Sequence, residues 1–262
     1  MINNQTTTNF VIDLDNISKS FNSAQKPIVV LKNIKLQIEE GEFLVIFGPS
    51  GCGKSTLLHI ILGLEPPDSG SSVKILKKLM YPKNFSDSSS FDEDETAEFR
   101  KEHIGMVYQQ TYWIKSQNVL QNVAFPLLLL GEEITTANQQ AREVLEAVGM
   151  SDWAEYVPTE LSSGQQQKVN LARALITNPE ILIADEPTGN LDFLSGQELM
   201  KMLVKLNQVG KTVVMVTHDL EYLSYATQAA EMFDGSIKGI YKGEEKNNIL
   251  KNLRTKKVHL VD

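Results

Sequence analysis

The feature that most constrains this chain is the run "GEFLVIFGPSGCGKSTLLHIILGL". A continuous apolar strand, Phe43 to Phe47, runs into a glycine-rich turn and then a helical pattern from about Lys54 to Leu62. The turn, "GPSGCGKST", satisfies the phosphate-loop pattern of glycine, four residues, glycine, lysine and then Ser or Thr. Its strand-before, helix-after context is the one that pattern requires. The glycines let backbone N–H groups turn inward onto anionic oxygens, and the helix start adds positive potential. Gly48, Pro49, Ser50, Gly51, Cys52, Gly53, Lys54, Ser55 and Thr56 therefore form the candidate nucleotide cradle. Within it Lys54 is placed for the β- and γ-phosphates and Ser55 for Mg²⁺.

The rest of the text has the rhythm of an α/β protein. "FVIDLDNISKSF" and "PIVVLKNIKLQI" read as a small antiparallel sheet near the N-terminus. A β-like piece near Val73 to Leu76 precedes "NFSDSSSFDEDETAEF", a serine-rich acidic stretch expected to be a solvated surface loop leading into a short helix near Thr96 to Glu102. "HIGMVYQQ" resumes a strand. Residues from about Val119 to Ala174 read as helical, with Ala137, Ala141, Val144, Leu145 and Val148 at helical spacing and Gly149 as a stop. "EILIADEPTGNLD" and "KTVVMVTHD" are apolar strands with polar C-terminal ends, separated by a helical pattern from Ser195 to Val209. Such alternation predicts a mainly parallel sheet with ligands beyond the strand ends. After Gly235 come short strand-like text and a lysine-rich tail, expected to be solvated.

Bulk properties narrow the partners. A net charge of −8 argues against a surface built for nucleic-acid phosphates, and one cysteine in 262 residues excludes an internal disulfide or a multi-cysteine metal cluster and fits a reducing cytoplasm. The N-terminal text lacks the order of a secretion signal. The longest apolar run of note, "FPLLLL", is far short of the ~20 residues a spanning helix requires. Docking on a membrane protein remains open.

"ILIADEP" places two carboxylates at a strand end: Asp185 for the Mg²⁺ shell, and Glu186 to orient or deprotonate a water. "ELSSGQQQKVNLARAL" sets Ser162, Ser163 and Gly164 at the start of a helix, where unpaired N–H groups can take either an ordinary cap or an anion.

The ordered set of phosphate loop, Gln109 after a strand, "LSSGQ", "ILIADEP", "NLD" and "THD" resembles the nucleotide-binding subunit of ATP-binding cassette (ABC) transporters over nearly the whole chain. It is most similar to the branch that powers lipoprotein release, macrolide export and the cell-division FtsE–FtsX type. The resemblance implies a phosphate-loop NTPase of ABC type: a mainly parallel core sheet flanked by helices, an N-terminal antiparallel β subdomain and an inserted helical subdomain. One ATPase domain would fill the chain, with a nucleotide-binding core at about 10–109 and 176–240, a helical signature portion at about 110–175 and a basic tail at 241–262.

It also implies roles. Two subunits close head to tail, and Ser162, Gly164 and Gln165 of one contact the γ-phosphate of ATP held by the other. Ser163 stands where the family normally has glycine, a strained choice if that position needs φ > 0. Phe21 resembles the aromatic that stacks on adenine, with an ordinary core or surface phenylalanine as the alternative. Gln109 resembles the glutamine that touches Mg²⁺ and the attacking water, His218 the residue that contacts the γ-phosphate, and Asp192 the aspartate that crosses the dimer seam. The implied catalytic set is Glu186, His218, Gln109 and Lys54; the implied metal set is Ser55, Gln109 and Asp185. Cys52 either reacts with alkylating agents, blocking nucleotide, or merely fills its position. Tyr112, Trp113 and Ile114 line a permease groove or belong to the core. The expected activity is ATP hydrolysis, with ATP and Mg²⁺, driving a separate integral membrane permease from the inner face of the membrane. Rival expectations are a soluble ABC ATPase acting on ribosomes or DNA, a phosphate-loop kinase, and a regulatory module that binds ATP without turnover.

Overall fold

The computed structural model describes residues 9–23, 26–82 and 92–249. Among them two sheets form. The first is antiparallel, in the order β2 (Ile28–Glu39), β1 (Phe10–Phe21), β4 (Ser72–Ile75) and β5 (Lys78–Tyr81). The second has six strands in the order β10 (Ser236–Lys242), β9 (Gln228–Phe233), β3 (Phe43–Phe47), β8 (Thr212–Thr217), β7 (Ile181–Asp185) and β6 (Ile104–Val107). Every pairing in it is parallel except β9 with β10. The expected architecture is present.

The central strand shows why. β3 is "FLVIF", all five residues buried, because helices cover both faces of a parallel sheet and leave no wet side for alternation. Each such side chain contributes about 1.5–3 kcal/mol on burial. One face packs with α1 (Lys54–Ile61) and the antiparallel sheet through Leu44, Ile46, Leu57 and Ile61. The other packs through Phe43, Val45 and Phe47 with Leu199, Met200 and Leu203 of α6 (Phe193–Gln208).

A third cluster lies in the insertion between β6 and β7. The segment expected as helical from Val119 to Ala174 resolves into α3 (Val119–Leu129), α4 (Ile134–Ala147) and α5 (Ser163–Leu175), with short 3₁₀ turns before α5. An Asn118–Gln121 capping box starts α3, and α4 stops just before Gly149 as read from the sequence. The Ala137, Ala141 and Leu145 stripe is fully buried against α3 and α5.

Two expectations need correction. The acidic stretch is helical sooner than expected: α2 spans Glu93–His103. Asp92 accepts from the Glu95 N–H as its cap, three acids fill the first turn, and Arg100, Lys101 and His103 fill the last, an order that complements the helix dipole. Residues 84–91 of that stretch lie outside the described residues. The C-terminal text does not fray at 241: Tyr241 and Lys242 belong to β10, and residues 243–249 are helical. Lys246 anchors that turn, its stem buried and its ammonium donating to the Ala226 carbonyl. Residues 250–262 lie outside the described residues.

Candidate nucleotide and catalytic site

The cradle follows β3, a strand with parallel partners on both sides, so its shape is fixed from behind. A side chain at Gly48 would come within 2.0 Å of the Met232 carbonyl, which makes glycine the only residue that fits there. The β9–β10 turn closes on the same loop, Gly235 N–H donating to the Cys52 carbonyl at 3.1 Å. Lys54 is buried, with Nζ donating to the carbonyls of Gly48 at 2.9 Å and Pro49 at 3.0 Å. Those two bonds fold the lysine back onto its own loop and use two of its three N–H donors, leaving the third for an anion. Ser55 is exposed and Thr56 half-buried at the start of α1. The Cys52 thiol is buried in the core cluster, so the position-filling alternative is the one its packing fits; the expectation of a reactive thiol has no accessible sulfur behind it. Phe21 ends β1, 39% exposed, with Lys19 Nζ 5.0 Å from its ring centre. Strand β2 brings it to the cradle: Ile28 pairs with Phe21, while Val30 and Leu31 abut Gly53.

β7 and β8 supply the acids and the histidine. Asp185 is the last residue of β7; burial pushes its pKa up, opposed by a hydrogen bond from the Ser55 hydroxyl and reinforced by neighbouring Glu186. Its Oδ1 is buried with no hydrogen-bond partner. A buried carboxylate oxygen lacking a donor, with a serine hydroxyl beside it, is a donor set that fits a hard divalent cation. Glu186 follows with φ of 44°, a left-handed conformation held by its N–H to the Val216 carbonyl at 2.9 Å. The carboxylate, largely shielded, meets His218 Nδ1 at 2.5 Å from Oε2.

Gln109 follows β6, and its amide occupies the space a side chain at Gly189 would need. A cleft of about 270 Å³ joins it with Ser163, Pro187 and Asn190. Ser162 is the N-cap of α5, locked in a reciprocal box: its Oγ accepts from Gln165 N–H at 3.3 Å and its N–H donates to Gln165 Oε1 at 2.9 Å. Ser163 is the first residue of α5 and lies outside the positive-φ residues, so the condition for strain there is not met. Gly164 is buried because Ser195 occupies the place of its Cβ, Oγ at 2.7 Å. Asp192 caps α6, accepting from the Ser195 N–H at 3.0 Å and hydroxyl at 2.7 Å, bonds that lower its pKa. The signature turn and the Asp192 turn thus form one surface.

Tyr112 is exposed, whereas Trp113 packs partly on the helical cluster. Tyr112 and Ile114 line a mainly apolar groove of about 680 Å³ with Phe125, Pro126 and Leu129. Tyr112 and Ile114 thus face a groove, while their neighbour Trp113 turns toward the core.

Sequence reasoning missed Gln167, Asn170 and Arg173, three residues apart along α5. Gln167 and Asn170 are buried, and all three hydrogen-bond to the backbone or side chains around Gln109 and Glu186. The available signal was a polar residue every third position of a helix whose same face carries apolar neighbours.

A sequence profile described as ABC transporter matches residues 31–189, more than half of the chain. An uncharacterized ABC transporter ATP-binding protein of Methanocaldococcus jannaschii is 43% identical over 227 residues, covering 87% of this chain and 97% of that protein. The macrolide export ATP-binding/permease protein MacB of Salmonella choleraesuis is 40% identical over 87% of this chain, which spans only 34% of MacB. Among solved structures, the dimeric post-hydrolysis state of the ATP-binding cassette MJ0796 bound to ADP and Pi superposes with a TM-score of 0.79 at 37% identity, covering 88% of this chain and 98% of that one.

Proposed function

The chain belongs to the ABC transporter family, and from that premise we propose that it hydrolyses ATP as a closed pair of copies and passes the motion to a separate membrane permease. The observation that carries the catalytic part is the Glu186–His218 contact one residue beyond Asp185, at the strand ends beside the cradle strand. Glu186 takes the proton of a water attacking the γ-phosphate, and the products are ADP and inorganic phosphate. His218 holds the carboxylate through Nδ1, and imidazole geometry turns Nε2 to the opposite side, toward phosphate. Lys54 and the cradle N–H groups orient the β- and γ-phosphates.

Ser55, Asp185 and Gln109 are the residues we assign to Mg²⁺. When bound it supplies charge neutralisation for the phosphate oxygens. Phe21 offers its ring to adenine. Ser162, Gly164 and Gln165 of one copy face the γ-phosphate in the other, and Asp192 lies on the same seam.

We assign the whole chain to one ATPase domain, its nucleotide-binding core at about 10–109 and 176–240 and its signature portion at about 110–175. The groove beside Tyr112 is the proposed permease contact, and it would hold the protein at the inner face of the membrane. Among the described residues no helix is long and apolar enough to cross a membrane. Likeness to MacB favours the lipoprotein-release and macrolide-export type over work on ribosomes or DNA.

The test is Glu186→Gln in the full chain. With Mg-ATP it should keep nucleotide, elute as a pair and turn over about 10²–10⁴-fold more slowly than wild type. Unchanged turnover, or single molecules with ATP bound, would remove the proposal.

A further inference from the structure

We propose that Gln167 is a positioning residue that ties both catalytic loops to the signature helix, so that engagement of a partner's nucleotide at one end of α5 is felt at the chain's own Gln109 and Glu186. This rests on the ATPase reading above and extends it to how two sites communicate. Gln167 is 3% exposed, and its Nε2 donates to two carbonyls: Tyr108 at 3.0 Å and Pro187 at 2.7 Å. Both acceptors are carbonyl oxygens, so the amide has one orientation that satisfies it. Tyr108 immediately precedes Gln109, and Pro187 immediately follows Glu186. One side chain therefore sets the backbone next to each of two proposed catalytic groups, which come from different strands.

The amide is itself held. Asn170, fully buried, donates from Nδ2 to the Tyr108 carbonyl at 3.0 Å and to Gln167 Oε1 at 3.1 Å. Arg173 donates to Asn170 Oδ1 at 3.1 Å and to the Tyr112 carbonyl at 2.7 Å, with its guanidinium 4.7 Å from the Trp113 ring centre. Gln166, on the same helix, accepts from the Thr111 hydroxyl and the Trp113 indole, each at 3.1 Å. All these side chains stand on the helix that Ser162 caps. A helix moves as a unit, so α5 cannot shift without carrying the Tyr108–Trp113 backbone and Pro187 with it, or else breaking buried bonds. An apolar side chain of equal size would fill the volume, remove the donor to the Pro187 carbonyl and leave the Tyr108 carbonyl to Asn170 alone.

The experiment compares full-length wild type with Gln167→Met, measuring ATP affinity, kcat and KM for ATP, and ATP-driven pairing in the Glu186→Gln background. Gln167→Met should lower kcat about 100-fold while ATP affinity and KM stay within about twofold and pairing persists. Gln167→Asn, whose amide is one methylene shorter, should recover part of the loss. Val169→Ala, a buried change off the network, should leave kcat within about threefold at a comparable loss of melting temperature. Unchanged kcat in Gln167→Met, or a parallel fall in kcat and ATP affinity, overturns the inference. If Gln167→Met does not fold, Asn170→Ser decides by the same criteria. Wild type that releases no phosphate from ATP sinks the function reading and this inference together. Wild type that does so beside an unimpaired Gln167→Met sinks this inference alone.

Discussion

His218 Nδ1 lies 2.5 Å from Glu186 Oε2, so the residue after β8 and the residue after β7 are joined side chain to side chain. The glutamate stands on a backbone most residues avoid, and the imidazole fixes where its carboxylate points. Removing the ring frees the carboxylate without touching the cradle. His218→Ala is expected to lower kcat about 100-fold with ATP affinity little changed, by steady-state hydrolysis and equilibrium nucleotide binding. Equal losses in both would place His218 in binding alone.

Ser162 separates capping from phosphate contact. Ser162→Ala removes the side-chain bond to Gln165 and should cost about 1 kcal/mol in urea unfolding. Ser162→Asp keeps the cap and suits the helix dipole, so stability should return. The added carboxylate would face a triphosphate across the seam, and ATP-driven pairing should vanish. An aspartate variant that pairs normally would reduce Ser162 to a cap.

Gly164 tests the packing of the signature turn on α6. Alanine normally favours a helix over glycine, but here its methyl meets Ser195 Oγ at 2.7 Å and Cβ at 3.0 Å. Gly164→Ala should destabilise by about 1–3 kcal/mol, and Ser195→Gly should recover much of that in a double-mutant cycle. Additive effects would show that the two positions do not touch.

Lys246 gives a pH dependence. Burial lowers its pKa, so between the folded and unfolded values the folded chain binds fewer protons than the unfolded one. Its contribution to stability therefore rises with pH across that window, and the penalty is fully present below the folded pKa. Lys246→Met has no such window. Wild type should gain on the variant as pH rises toward about 10.4, the ordinary lysine value, in chemical denaturation. Parallel pH profiles would put the ammonium in solvent.

The sequence was most readable where chemistry demands contiguous residues. The cradle needs its glycines, Lys54 and Ser55 in one run, and Asp185 with Glu186 and Thr217 with His218 sit at the ends of unbroken apolar strands. The parallel pairing of the core strands likewise follows from alternation of strand and helix. What escaped depends on distant partners. Gln167 and Asn170 read as ordinary polar positions because their acceptors, the Tyr108 and Pro187 carbonyls, lie 59 and 20 residues away from Gln167. Whether serine is strained at 163 stays conditional in the sequence for a related reason: it depends on where the helix begins, and the Ser162–Gln165 box makes Ser163 its first residue. Lys246 looked solvated because nothing near it in sequence announces the Ala226 carbonyl.

One consequence follows from the left-handed backbone of Glu186, φ 44°. Non-glycine residues tolerate that conformation at a cost of roughly 1–2 kcal/mol. Glycine would relax it and delete the base in the same step. Durability and turnover therefore pull this position in opposite directions, so any screen that rewards thermal robustness alone will tend to collect inactive descendants here.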